Sequence, residues 1–272
     1  MPMNSSLYYL PIYLFCFILF NNSCLAQENY EIQVYESKIV EQGFTMFELH
    51  SNFTINGFKD IRQGVLPTDK ALHETIEITH GFNPWFEIGI YQFLSKNNGN
   101  AFDYVGNHIR PRFTVPEKYD LPIGLSLSME MGYQRRRYSD DNWSLELRPI
   151  IDKTIGKITC SFNPVLESSL AGPIKLKDLI FAPNLKLSYK ICKLFNTGIE
   201  YYNALGSVKQ FDAFNHQPHQ LVWAFDFYFS EVWEFNIGYV KGLTSSVEQD
   251  IIKCYVGRKI GKHASSKANK EN

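Results

Sequence analysis

The sequence predicts an all-β protein, folded as a closed antiparallel transmembrane β-barrel of about 12 strands. Three observations carry the prediction. Apolar and polar residues alternate with a period of two in twelve segments between Phe44 and Ile260. The connections between those segments are alternately short and long. Charged residues recur near the middle of the polar faces rather than only at segment ends.

Ala71 to Phe93 shows the repeating unit. Leu72, Ile76 and Ile78 fall on one side, and His73, Thr75, Glu77 and Thr79 on the other. Gly81 to Pro84 break the pattern, after which Phe86, Ile88 and Ile90 alternate with Glu87, Gly89 and Tyr91. Successive strand side chains point to opposite faces, so this is a β-hairpin with one apolar and one charged face. The preceding segment, 44–55, sets Phe47, Leu49, Phe53 and Ile55 against Glu48, His50, Asn52 and Thr54. The fourth, 107–115, places His108, Arg110 and Arg112 opposite Ile109, Phe113 and Val115. In the fifth, 123–134, Leu125, Leu127, Met129 and Met131 alternate with Ser126, Ser128, Glu130 and Gly132, a division that no helix can make. Segments 143–152, 158–167 and 181–190 bring Glu146 and Arg148, then Glu167, then Lys186 to the polar face. Segments 198–205 and 221–229 add Glu200 and Asp226, and 233–241 and 251–260 show weaker alternation.

Connections after the even-numbered segments are compact, as in GFNP, KTIGK and SEV, whereas most of the others are long and polar, as in NGFKDIRQGVLPTDK. An even number of roughly ten-residue strands, with turns at one end and loops at the other, is the pattern of an outer-membrane barrel. A secreted β-sandwich also alternates but has no reason to sort its loops. With the apolar face turned to lipid, closure satisfies every backbone group and the charges line a lumen. Trp85, Trp143, Trp223 and Trp233, with Phe82, Tyr133 and Tyr189, are expected near strand ends at the membrane interface. Pro111, Pro149, Pro164 and Pro183 are expected at bulges or gaps in the ladders.

The chain has 272 residues, of which 44% are hydrophobic and 15% aromatic, with a formal net charge of -1. That is ample for one large domain, and the balanced charge argues against a nucleic-acid partner. Residues 1–26 read as a secretory signal peptide: Leu7 to Phe20 are almost wholly apolar and Cys24-Leu25-Ala26 forms a small-x-small cleavage site. Lipidation at Cys24 is disfavoured by Asn21 and Asn22. Residues 27–43 are expected to form a short periplasmic segment, 44–260 the barrel, and 261–272 a polar tail. Cys160, Cys192 and Cys254 offer no disulfide framework and no Cys-x-x-Cys spacing, and are expected to be small apolar fillers.

The candidate site is a ladder of inward charge: Glu77, Glu87, Arg110, Arg112, Glu130, Glu146, Arg148 and Glu200. Cross-strand Arg-carboxylate pairs in such a ladder would be bidentate and shielded from bulk water. They suit either a selectivity region in an aqueous channel or an ion-paired filling of a narrow lumen. Inward acids outnumber inward bases, which leans a pore toward cations or neutral solutes. His50 and His73 are expected inward near Glu48 and Glu77, and His216 and His219 share a loop, but no spacing matches a tight metal site and none is expected. A lipid hydrolase would need a Ser or a His-centred base with an orienting partner; His80 has no evident Ser partner, so no enzyme is expected. Loops such as Arg135-Arg136-Arg137 and Phe211 to His219 leave room for a surface-binding barrel.

The strings MFELHSN (46–52), ALHETIEITHGF (71–82), HIRPRF (108–113), GYQRRRYS (132–139), LELRPIID (145–152) and EYYNALG (200–206) resemble a family of largely uncharacterised Gram-negative outer-membrane β-barrel proteins described as transporters. The resemblance implies a barrel in the cell outer membrane, assembled by the barrel assembly machinery and surrounded by membrane lipid and lipopolysaccharide. It implies that fold and compartment rather than a substrate; the function expected of the chain is porin-like, passive transport of small solutes, with no cofactor. Such barrels commonly end on an aromatic residue of the last strand, whereas here Ile260 is followed by the polar tail.

Overall fold

The computed structural model describes residues 29–261 apart from 98, 100, 141 and 172–178. The expected signal peptide, and the expected tail beyond Gly261, lie outside the described residues. Twelve long strands form the wall: β1 (Phe44–Asn56), β2 (Leu72–Asn83), β3 (Phe86–Lys96), β4 (Asp103–Thr114), β5 (Gly124–Gln134), β6 (Trp143–Ile155), β7 (Ile158–Ala171), β8 (Ile180–Cys192), β9 (Phe195–Asn203), β10 (His219–Phe227), β11 (Trp233–Gly242) and β12 (Asp250–Gly261). Each pairs antiparallel with its sequence neighbours, and β12 pairs with β1 from Phe44↔Gly261 to Thr54↔Ile251, so the twelve-strand wall closes into a barrel. A two-rung ribbon, Gly206–Ser207 with Gln210–Phe211, extends the sheet at the loop end of β8. Among the described residues no helix is long and apolar enough to cross a membrane.

Period-two alternation sets the strands almost where the sequence places them, with β4 beginning at Asp103 rather than 107 and β9 at Phe195 rather than 198. The β6–β7 connection is two residues long, and Gly156 at φ 61 supplies the left-handed conformation that such a turn demands. The expected prolines coincide with broken ladders: β4–β5 pairing skips from Ile109↔Met131 to Arg112↔Ser128 at Pro111. The β6–β7 pairing skips from Leu147↔Leu166 to Ile151↔Phe162 at Pro149 and Pro164. Pro183 lies just beyond the last β8–β9 rung, Leu185↔Tyr201, and its carbonyl accepts a hydrogen bond from Asn203 at 2.6 Å.

The apolar face is outside. Leu49, Ile76, Ile78, Ile90, Ile109, Met131, Leu187 and Phe225 are exposed, forming the band that contacts lipid hydrocarbon. Cys160 and Cys192 are exposed free thiols, and Cys254 is a half-buried one. Trp85, Trp143 and Trp233 stand at or beside strand ends, where an interfacial ring belongs. Trp223 does not: it is central in β10, between Ile199 and Tyr239, because strand parity alone turns it outward.

Two features of the interior depart from the sequence expectation. The lumen is not polar throughout, since Tyr91, Phe93, Val105, Ile150, Val165, Tyr202, Val222, Val240 and Ile251 point inward and are buried. Residues 29–43, expected outside the barrel as a periplasmic segment, run inside it. β1 starts at the turn end of the wall, and the chain before it climbs through the lumen as an extended strap. Ile32 and Val34 pack with Tyr202, Val222, Ala224, Val240 and Ile251, while Tyr30 packs with Tyr91, Phe93 and Val105. Burial of these side chains against an inward apolar patch is the physical reason for the strap's position, each contributing about 1.5–3 kcal/mol.

Candidate functional site: the lumen and its strap

The wall holds the strap chiefly by its main chain. Asn52 donates to the Asn29 carbonyl at 2.9 Å, Thr75 to that of Tyr30 at 2.7 Å and Lys253 to that of Ile32 at 2.9 Å. The Asn163 amide completes a rung with Tyr35, accepting from its N–H at 2.8 Å and donating to its carbonyl at 3.0 Å. Arg112 donates to the carbonyls of Glu36 and Lys38, and Thr114 to that of Ser37 at 2.8 Å. The N–H groups of Ser37 and Val40 donate to Asp152 and Glu87, both at 2.6 Å. At the turn end the Gly43 N–H reaches the Gly81 carbonyl at 2.9 Å.

Gly81 makes this entry possible, because a Cβ there would lie 2.2 Å from the Val40 carbonyl oxygen and 2.5 Å from that of Glu41. Both obstacles are backbone and cannot swing aside. Gly81→Val is therefore expected to expel the lower strap, seen as tryptic cleavage after Lys38 that the native barrel resists; N-terminal sequencing of the fragment checks it.

All eight residues of the expected charge ladder stand inside, and the structure links them into two networks and two smaller pairs. In the first network, Arg110 is the hub. Its Nη2 lies 2.7 Å from Glu77 and 3.7 Å from Glu87, which also faces Arg112 at 3.6 Å. Its guanidinium lies 4.7 Å from the Tyr35 ring of the strap and 5.3 Å from that of Tyr91. Arg112 and Arg148 approach the same Tyr35 ring at 5.2 and 5.1 Å, so three cations surround one strap aromatic.

Glu146 and Arg148 form the bidentate fork at 2.6 and 2.8 Å, but within one strand rather than across two. Register explains the difference, for Glu146 lies opposite Glu130 on one side and Glu167 on the other. Glu130 is engaged by His108 at 2.5 Å. The second network joins Glu200 to Lys253 and, at 3.4 Å, to Lys186, which reaches Asp226 at 3.2 Å.

Lys253 is a site residue that the sequence reading missed. Ile251 and Ile252 are both apolar, which blurs the parity of β12 where Lys253 would otherwise stand out. The histidines separate: His73 contacts Ser95 at 3.3 Å, His219 contacts Tyr201 and Gln217, and His80 contacts Thr45 at 2.9 Å. In the loops, Arg135 donates to the Tyr104 carbonyl at 2.9 Å and Arg137 lies 3.8 Å from Asp103. Below the strap, a cavity of about 380 Å³ at the turn end is lined by Glu36, Lys157, Lys190, Lys193 and Tyr228.

A closed sheet with an apolar exterior, charge inside, and turns and loops sorted to opposite ends is an outer-membrane β-barrel. Its fold is that of an outer membrane channel from Pseudomonas putida F1, at 10% identity and a TM-score of 0.59, covering 85% of this chain and 100% of that one. It is similar also to the KdgM porin, at 10% identity and a TM-score of 0.51 over 80% of this chain and 99% of the other. The NanC porin matches at 8% identity and a TM-score of 0.51, over 79% and 99%. At such identities the likeness establishes architecture. No family's sequence profile matches the chain, and no curated protein matches it by sequence.

Proposed function

We propose that the protein is a passive outer-membrane channel for small solutes, with the strap as its constriction. The observation that carries this reading is the way the strap is held: by side chains of the lumen wall on its main chain, around a ring of three arginines, above an open cavity at the turn end. A charged lining of this kind orients and passes polar solutes, whereas a barrel serving only as a scaffold needs no such lining. The structures similar in fold are named as a channel and as porins, which supports the same class. The solute is not specified by these residues.

A second reading, a structural or surface-binding barrel with a plugged lumen, is favoured by one observation: Arg110, Arg112, Arg148 and Lys253 are all engaged by carboxylates or by the strap. Swelling of liposomes containing the full chain, in a series of neutral solutes of increasing size, separates the two. The channel reading expects entry of the smallest solutes with a sharp size limit; exclusion of every solute establishes the plugged barrel.

A further inference from the structure

Glu48 and His50 of β1 and Glu77 of β2 form, among the described residues, the one group of three whose potential ligand atoms all lie within 4.8 Å of one another. Pairing register brings them together, with Glu48 directly opposite Glu77 and His50 two residues further along β1. On the other side of Glu48 the partner is Gly257, and beyond it on β11 stands Glu234. A Cβ at position 257 would sit 3.2 Å from Glu48 Cγ, so the glycine leaves the Glu48 carboxylate space in the wall. Facing carboxylates repel, and a cation held between them relieves that repulsion.

Arg110 meets only part of that need. Its Nη2 and the Thr79 hydroxyl both donate to Glu77 Oε1 at 2.7 Å. This fixes the carboxylate and turns its other oxygen, Oε2, toward His50. Glu77 Oε2 and His50 Nε2 are both buried and face each other as an ion-pair contact at 3.4 Å, outside good hydrogen-bond geometry. A hydrogen bond would draw the two to about 2.9 Å. Two ligands of one tetrahedral ion with bonds of about 2.0–2.1 Å stand roughly 3.3 Å apart, and that is the spacing found.

We propose that Glu48, His50 and Glu77 bind a divalent first-row transition ion of the zinc type on the lumen wall. One imidazole nitrogen and two carboxylate oxygens form a mixed donor set that suits such an ion. Calcium and magnesium instead require six or more oxygens, or retained waters in octahedral geometry. Arg110 and Thr79 orient the ligating carboxylate from behind, a role that outer partners of metal ligands commonly fill. The site is independent of permeation: it exists in the wall whether the lumen conducts or is plugged.

The test is calorimetric titration of Zn²⁺ into the full-length barrel, purified in detergent without a histidine tag and stripped with a chelator, with folding verified by heat-modifiable gel mobility. Saturable binding of a single ion is expected, weakened in Glu48→Gln and in His50→Gln by at least the roughly 10–100-fold that loss of even an outer partner of a ligand costs. Glu48→Gln preserves shape at a half-buried position and so keeps the test valid even where the His50 variant does not fold. His73→Gln removes a buried histidine of the same wall outside the cluster and should leave the affinity unchanged. Ca²⁺ in place of Zn²⁺ should give no saturable binding. The proposal is overturned by a folded native barrel that takes up no Zn²⁺, by binding that Glu48→Gln leaves intact, or by Ca²⁺ binding of equal strength.

Discussion

Deletion of residues 29–38 is expected to raise single-channel conductance several-fold in planar bilayers, because that segment fills the lumen between the Arg110, Arg112 and Arg148 cluster and the loop-end apolar patch. Deletion is the right perturbation, since the wall grips the strap at many points along its main chain. Each neutral contact contributes about 0.5–1.5 kcal/mol, so replacing one donor leaves the strap seated. Thr75→Val and Thr114→Val are accordingly expected to conduct like the native chain. A complementary experiment locks the strap instead: Tyr35→Cys with Asn163→Cys, in a background lacking the native cysteines, joins two positions already hydrogen-bonded through the Asn163 amide. Oxidation should hold conductance at its lowest value, with no effect of reducing agent on either single variant. A folded deletion variant with native conductance would place the constriction in the wall side chains and remove the strap from the mechanism.

The strands were legible because lipid outside and charge inside impose the same two-residue period that the backbone pleat imposes, so sequence pattern and geometry reinforce each other from β1 to β8. The strap was not, although Tyr30, Ile32 and Val34 carry the same alternation with Glu31 and Gln33. Three alternating apolar residues without a turn or a paired segment have no local feature that says where they dock. Ile32 and Val34 dock on Tyr202, Val222, Ala224, Val240 and Ile251, and Tyr30 on Tyr91, Phe93 and Val105, surfaces that belong to wall strands far along the chain from the strap. The same applies to the charge pairs. Inward parity identified Glu77, Arg110 and Glu200 as lumen residues, but which partners meet depends on register and shear around the ring. Glu146 illustrates this: flanked across both ladders by glutamates, it turns to Arg148 on its own strand. Lys253 completes the point, for it neutralises Glu200 from β12, a strand with no direct ladder to β9.

Replacement of Arg110 by Ala is expected to destabilise the barrel by about 3–5 kcal/mol, the range for stripping one partner from a buried ion pair, measured as urea unfolding in lipid vesicles. Arg110 is 3% exposed, and Glu77 and Glu87, which it faces, are 1% and 2% exposed. Without the guanidinium, Glu77 keeps only the Thr79 hydroxyl as its hydrogen-bond donor on Oε1, and the strap ring of Tyr35 loses one of its three cations. Most of the cost is an uncompensated charge rather than a lost attraction, and this distinction is testable. Arg110→Ala combined with Glu77→Gln removes the stranded carboxylate and should recover a substantial part of the loss, a coupling that independent sites would not show. Arg110→Lys should fall between, because one ammonium cannot span two carboxylates and cover two tyrosine rings as a planar guanidinium does. Arg137→Ala sets the scale at the other extreme: its partner Asp103 is 3.8 Å away and both side chains are about half exposed, so the change should stay within about 1 kcal/mol. Equal effects at Arg110 and Arg137 would mean that water enters the lumen freely enough to screen the buried network, and that the strap is not packed against it in the membrane.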